Sequence, residues 1–291
     1  MRNYKLWFCL LFVFLCFQAE AKNLPAYQIY DKAGIPKSFS DLSASAMQNQ
    51  IVFFGELHNN PIGHWLQMEL SIVLHNQIQD AFIVGMEMFE SDNQLLIDEY
   101  FSGLINERSF TSEARTWNNY STDIRPLVEY ARENSIRLVA TNIPRRYASL
   151  VNRAGFGALE KLSDKAKNYL PPLSVPYDPE LPGYKALSEM PGMPTHTSME
   201  NFPKAQAIKD ATMAHFILKH FQPGDLFLHI NGSYHSSKHE GIVWYLLQQE
   251  PSLEIMTVEV VEQNQLIRLH DDHKGIADYI IVVPANMTKT F

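Results

Sequence analysis

Two short stretches of the chain place an imidazole three residues after a glycine: Gly55-Glu56-Leu57-His58 and Gly232-Ser233-Tyr234-His235. A third carries Glu87, and a fourth carries Asn142 with Arg145-Arg146-Tyr147. Histidine and glutamate together support two kinds of chemistry. His58 and His235 can hold a divalent metal, with Glu56 or Glu87 as a further ligand or general base. A neutral imidazole beside a carboxylate can also activate water without metal, so a protease-like or esterase-like hydrolase is one reading. His235 and His239 are spaced i, i+4 and share a face if that segment is helical, although no glutamate follows His235 as a zinc-protease signature requires. Ser233 lacks the Gly-x-Ser-x-Gly setting of a nucleophile. His229 lies within an apolar run and reads as a core histidine; His64 has no helical partner and reads as surface. The competing account of all these residues is ordinary loop chemistry.

The choice between these accounts depends on whether the stretches meet. Ile51-Val52-Phe53-Phe54 reads as a buried strand that stops at Gly55, where glycine's freedom permits a sharp turn. Asn59-Asn60-Pro61 caps a helix expected over 62–79. A strand over 81–86 delivers Glu87, and residues 92–133 read as mostly helical, with breaks near Gly103 and Pro126. A strand over 136–140 delivers Asn142 and Arg145, and a helix runs through the 150s. A helix over 204–220 precedes a strand over 225–230 that delivers Tyr234 and His235. A helix over 239–249 and strands near 254–261 and 279–283 follow. Upstream, Tyr27–Tyr30 reads as an edge strand, and Ser40-Asp41-Leu42 opens a helix running to Gln50. This alternation predicts an α/β fold: a mainly parallel central sheet with helices on both faces. The carboxyl ends of parallel strands share one edge, so polar residues far apart in sequence converge there. Residues 171–203 hold eight of the sixteen prolines and are neither central strand nor regular helix. They read as a Pro-rich lid or cap insertion, with a disordered segment as the alternative.

A chain of 291 residues with 46% hydrophobic and 19% charged content is a folded globular protein. A net charge of −8 excludes a nucleic-acid binder, which needs clustered cations. Arg2 and Lys5, the apolar run Leu6 to Phe17 and the small-x-small Ala19-Glu20-Ala21 read as a signal peptide over 1–21. An exported, periplasmic or envelope-associated protein follows, with one domain over 22–291; an uncleaved anchor is the alternative. Cys9 and Cys16 are the only cysteines and lie in that leader, so the mature protein has no disulfide or thiolate ligand. Bulky Phe14 and Leu15 before Cys16 match a lipidation signal poorly.

The paired Gly-x-x-His motifs resemble those of the ChaN-type haem-binding proteins of the Tiki superfamily. Further matches are Met86-Glu87-Met88-Phe89, Asn142-Ile143-Pro144-Arg145-Arg146-Tyr147 and Gln206-Ala207-Ile208-Lys209-Asp210-Ala211-Thr212-Met213-Ala214, the whole covering roughly residues 40–285. The resemblance implies haem binding and iron uptake at bacterial surfaces, homodimers with stacked haems, an outer-membrane haem transport partner, and tyrosine as iron ligand. It also implies relatives that are metal-dependent proteases or erythromycin esterases. Haem needs an apolar slot, an axial donor and cations for its propionates. Arg145 and Arg146 are candidate propionate anchors; Tyr147, Tyr234 and Tyr184 are candidate ligands beside His58 and His235. Met190, Met193 and Phe202 are candidates to cover a ring face.

Overall fold

A computed structural model of the chain describes residues 24–188 and 201–291. The signal peptide over 1–21, Cys16, Met190 and Met193 lie outside the described residues. The sheet has eight strands: β1 Gln28–Asp31, β2 Pro36–Lys37, β3 Ile51–Glu56, β4 Phe82–Glu90, β5 Arg137–Asn142, β6 Leu226–Gly232, β7 Ile255–Gln263 and β8 Tyr279–Pro284. Their order is β2-β1-β8-β7-β3-β6-β4-β5. All neighbours from β8 to β5 run parallel; β1 is antiparallel to both β8 and β2. The strand expected at the edge is therefore second from it.

β3 sits at the centre because its six residues are all buried. Alternate side chains go to opposite faces. Val52 and Phe54 join a core with Leu66 and Leu70 of α2 (Pro61–Ile78), below α1 (Phe39–Ala46). Ile51 and Phe53 join Met213 and Phe216 of α9 and Val243 and Leu246 of α10. Helices thus cover both faces, and each such buried side chain contributes about 1.5–3 kcal/mol. The remaining helices are α3 Gln94–Phe101, α4 Glu107–Glu113, α5 Arg125–Glu133, α6 Arg145–Ala154, α7 Asp164–Lys167, α8 Pro182–Ser188, α9 Phe202–His220 and α10 Ile242–Gln249.

Several expected boundaries move. β3 does not stop at Gly55 but continues through Glu56, and β4 runs past Glu87 to Glu90, with a register shift between Met86 and Glu90. α1 ends at Ala46, before Gln50. α10 begins at Ile242, because Lys238 and His239 have φ of 58° each, outside the helical range. The long helical stretch is three helices, with a π-helical turn over Tyr120–Ile124 leading into α5. Asn60 caps α2 as expected, its Oδ1 accepting from the amides of Ile62 and Gly63 at 3.1 Å, with Pro61 first in the helix.

At the outer margin of β5, Gln94 pairs with the strand through its side chain. Its Nε2 donates to the Leu138 carbonyl at 3.0 Å and its Oε1 accepts from the Ala140 amide at 2.8 Å. At the other margin β2 is only Pro36–Lys37.

Candidate functional site

Glu56 ends β3 in register with Gly232 at the end of β6, and Asn142 ends β5 opposite Glu90 of β4. The chain leaves β3 for β4 on one side of β6 and later returns to β7 on the other side of β3, so the strand order reverses at this edge. Open α/β sheets place their ligand crevice at such a reversal.

The first Gly-x-x-His motif forms an acid–imidazole pair. His58 Nδ1 donates to Glu56 Oε1 at 2.9 Å, and Gln67 Nε2 of α2 donates to Glu56 Oε2 at 2.6 Å. Burial would raise the Glu56 carboxyl, but its bonds from His58, His64 and Gln67 hold it below the usual range. Burial likewise opposes the His58 imidazolium, yet the Glu56 bond and the charge of Glu87 raise its pKa. Trp117 meets the His58 ring edge-on, centroids 4.8 Å apart, and Asn119 Nδ2 donates to the His58 carbonyl at 2.9 Å. His64 is not at the surface. It is buried on the inward face of α2, with Nε2 3.4 Å from Glu56 Oε2 and Nδ1 3.4 Å from Asp123 Oδ2.

The second motif is clamped. His235 is buried, with Nδ1 donating to Asp210 Oδ1 of α9 at 2.5 Å and Nε2 3.3 Å from Glu87 Oε1. Burial opposes its charge, but the two carboxylates outweigh it and raise its pKa to about 10. Glu87 Oε2 also accepts from the Gly232 amide at 2.7 Å, and despite its burial the charge of His235 and that bond keep it ionised. Asp210 Oδ2 accepts from the Tyr184 hydroxyl at 2.7 Å.

The two glycines give clearance, not a turn. Gly232 has φ −59°, ordinary for any residue. A Cβ there would sit 2.7 Å from Cε1 and Nε2 of His58; a Cβ on Gly55 would sit 2.9 Å from Ser233 Cα. Each motif's glycine makes room for the other motif.

Together these ends floor a cleft of about 490 Å³. Leu57, Met88, Trp117, Ile143 and Ala148 give it apolar walls, Arg145 and Lys209 supply cations, and Glu56, His58, Glu87, Tyr234 and His235 lie in its lining. Arg145 is 76% exposed in its side chain. Arg146 turns from the cleft to pair with Asp92 at 2.6 Å and lies over the Tyr147 ring, 4.4 Å from its centroid. Tyr147 packs with the cluster under α6. Tyr234 donates to the Gly183 carbonyl at 2.9 Å. His229 is a satisfied core residue as expected, between Thr141 Oγ1 at 2.8 Å and Asn231 Oδ1 at 3.0 Å, its pKa lowered by burial to about 4. His239 shares no helix face with His235; it pairs with Asp278 at 3.0 Å. Among the described residues, no group of three or more His, Cys, Asp or Glu is arranged to hold a metal ion. The role of Asp210 escaped sequence reasoning although the residue falls inside a matched run. Trp117 and Asn119 escaped it too, since nothing local ties them to His58.

A family model described as haem-binding uptake, Tiki superfamily, ChaN matches residues 42–246. Among solved structures, ChaN of Campylobacter jejuni with cofacially bound haem superposes with a TM-score of 0.66 at 19% identity, over 89% of this chain and 97% of that one. A Bacillus cereus protein superposes with a TM-score of 0.50 at 10% identity, over 85% and 92%. At these identities the likeness shows the fold. No curated protein matches the sequence.

Proposed function

The chain belongs to the ChaN haem-binding uptake family of the Tiki superfamily, and on that premise we propose that it binds haem in the cleft at the carboxyl edge of the sheet. The observation that carries this is the composition of the cleft, with apolar walls at Met88, Trp117 and Ile143 and cations at Arg145 and Lys209. Those are the surfaces a flat apolar macrocycle with two carboxylates requires. When bound, haem supplies an iron centre that accepts an axial donor. The chain's own residues exclude water from the macrocycle, hold the propionates, and present that donor from a fixed floor.

The Pro-rich segment over 171–203 acts as a lid beside this cleft. Its described part is fastened where Gly183 N donates to Glu240 Oε2 at 2.6 Å and where Tyr245 donates to the Pro176 carbonyl at 2.7 Å. The single domain over 22–291 is exported by the leader over 1–21, works in the cell envelope as a homodimer, and passes haem to or from outer-membrane transport machinery. Among the described residues no helix is long and apolar enough to cross a membrane. The divalent-metal reading finds no support in the site, because both nitrogens of His235 face carboxylates.

Haem titration of the purified protein tests the assignment. A saturable Soret band is expected at micromolar haem, with affinity reduced about tenfold or more in Arg145→Ala combined with Lys209→Ala, as loss of charge-assisted contacts of about 1.5–3 kcal/mol would produce. No retained haem at that concentration removes the proposal.

A further inference from the structure

This inference rests on haem occupying the cleft, and concerns which atom of the protein meets the iron. The donor must lie in the cleft and have a lone pair not already engaged. His235 has a carboxylate at each ring nitrogen. Tyr184 is buried and donates to Asp210. Tyr234 donates to Gly183, and its burial together with the charges of Asp210 and Glu240 disfavours the phenolate. Tyr147 is absent from the cleft lining and packs under α6. His58 differs from all four. It lines the cleft, its side chain is 39% exposed, its Nδ1 is bound to Glu56, and its Nε2 has no hydrogen-bond partner among the described residues.

We propose that His58 Nε2 is the protein's ligand to haem iron, with Glu56 fixing the ring through its Nδ1–H. A carboxylate on the far nitrogen sets the tautomer and makes the imidazole a stronger donor, an arrangement common behind metal-bound histidines. The ring is held on three further sides: by the edge of Trp117, by Asn119 on its backbone carbonyl, and by the bare Cα of Gly232. On ligation the iron–nitrogen bond forms at Nε2, and any proton carried there passes to solvent. The tyrosine ligand implied by the family resemblance is thereby replaced by an imidazole.

Resonance Raman spectroscopy of the ferrous haem complex of the full chain reads the iron–imidazole stretch directly. The stretch is expected in the wild type, absent in His58→Ala, restored when free imidazole is added to that variant, and shifted in Glu56→Gln. Haem affinity is expected to fall about 10- to 100-fold in Glu56→Gln, the usual effect of removing such a supporting carboxylate. His58→Gln, which keeps a polar group of similar length, guards against a folding defect, monitored by circular dichroism. A stretch that survives in His58→Ala, or iron ligation lost in Tyr147→Phe or Tyr234→Phe with His58 intact, overturns the assignment. A wild type that takes up no haem overturns the haem reading itself, whereas haem uptake with iron ligation indifferent to residue 58 overturns the ligand alone.

Discussion

At the scale of single residues the site depends on close approaches and on two buried charges. Gly232→Ala would drive a methyl group into the His58 ring. It is expected to lower haem affinity while leaving the far side of the sheet intact, as hydrogen exchange would show. Asp210→Asn leaves the His235 imidazolium with only Glu87 and should destabilise the fold by up to about 3–5 kcal/mol in urea titrations. His235 also sets a pH dependence. Its folded pKa of about 10 stands above its ordinary 6.5, so its contribution is full below pH 6.5 and is lost as the pH climbs through 10. The melting temperature should fall across that window, and fall less in His235→Gln. Glu259 on β7 acts in the opposite range. Burial raises its carboxyl to about 7 despite the Ser237 bond and the Lys238 charge. Stability is therefore highest where it is protonated and declines between pH 4.5 and 7. Glu259→Gln should match the wild type near pH 4 and exceed it by about 1–3 kcal/mol at pH 8. The sequence exposed the acids and imidazoles but not their partners. Asp210 reaches His235 only because α9 packs across β5 and α10, and no spacing along the chain reports that. Gly55 was legible as special for the wrong reason, since its need is space against Ser233, which lies in a distant segment.

At the scale of elements, periodicity located the strands and the α2 cap well, because burial on both faces leaves uninterrupted apolar runs. Asn60→Ala should cost about 0.5–2 kcal/mol by loss of the cap, measurable by thermal melting. The strand ends were harder to see. Glu56 and Glu87 are charged, so pattern reading stops before them, yet hydrogen-bonded partners let both remain inside the strands. The π-helical turn over Tyr120–Ile124 was illegible for a similar reason. It is irregular backbone whose position depends on Asn119, joined at once to the His58 carbonyl and to Asp123. Such turns cluster at functional sites. Asn119→Ala should speed amide exchange across this turn and weaken haem binding together.

For the molecule as a whole, the alternation of strand and helix made the convergence of four distant segments foreseeable. The neighbour order was not, because β6 inserts between β3 and β4 only after both are in place along the chain. Haem-dependent pairing of two copies should appear as a doubling of mass in light scattering when haem is added, and should be absent in the Arg145→Ala, Lys209→Ala protein. The two margins of the sheet bear on how such pairing could arise. Pro36 has no amide hydrogen to offer at one margin, and the amide of Gln94 imitates a neighbouring strand at the other. Polymerisation by strand-on-strand growth is therefore obstructed at both ends, and Gln94→Ala should leave a chain that forms thioflavin-positive fibrils more readily on mild heating.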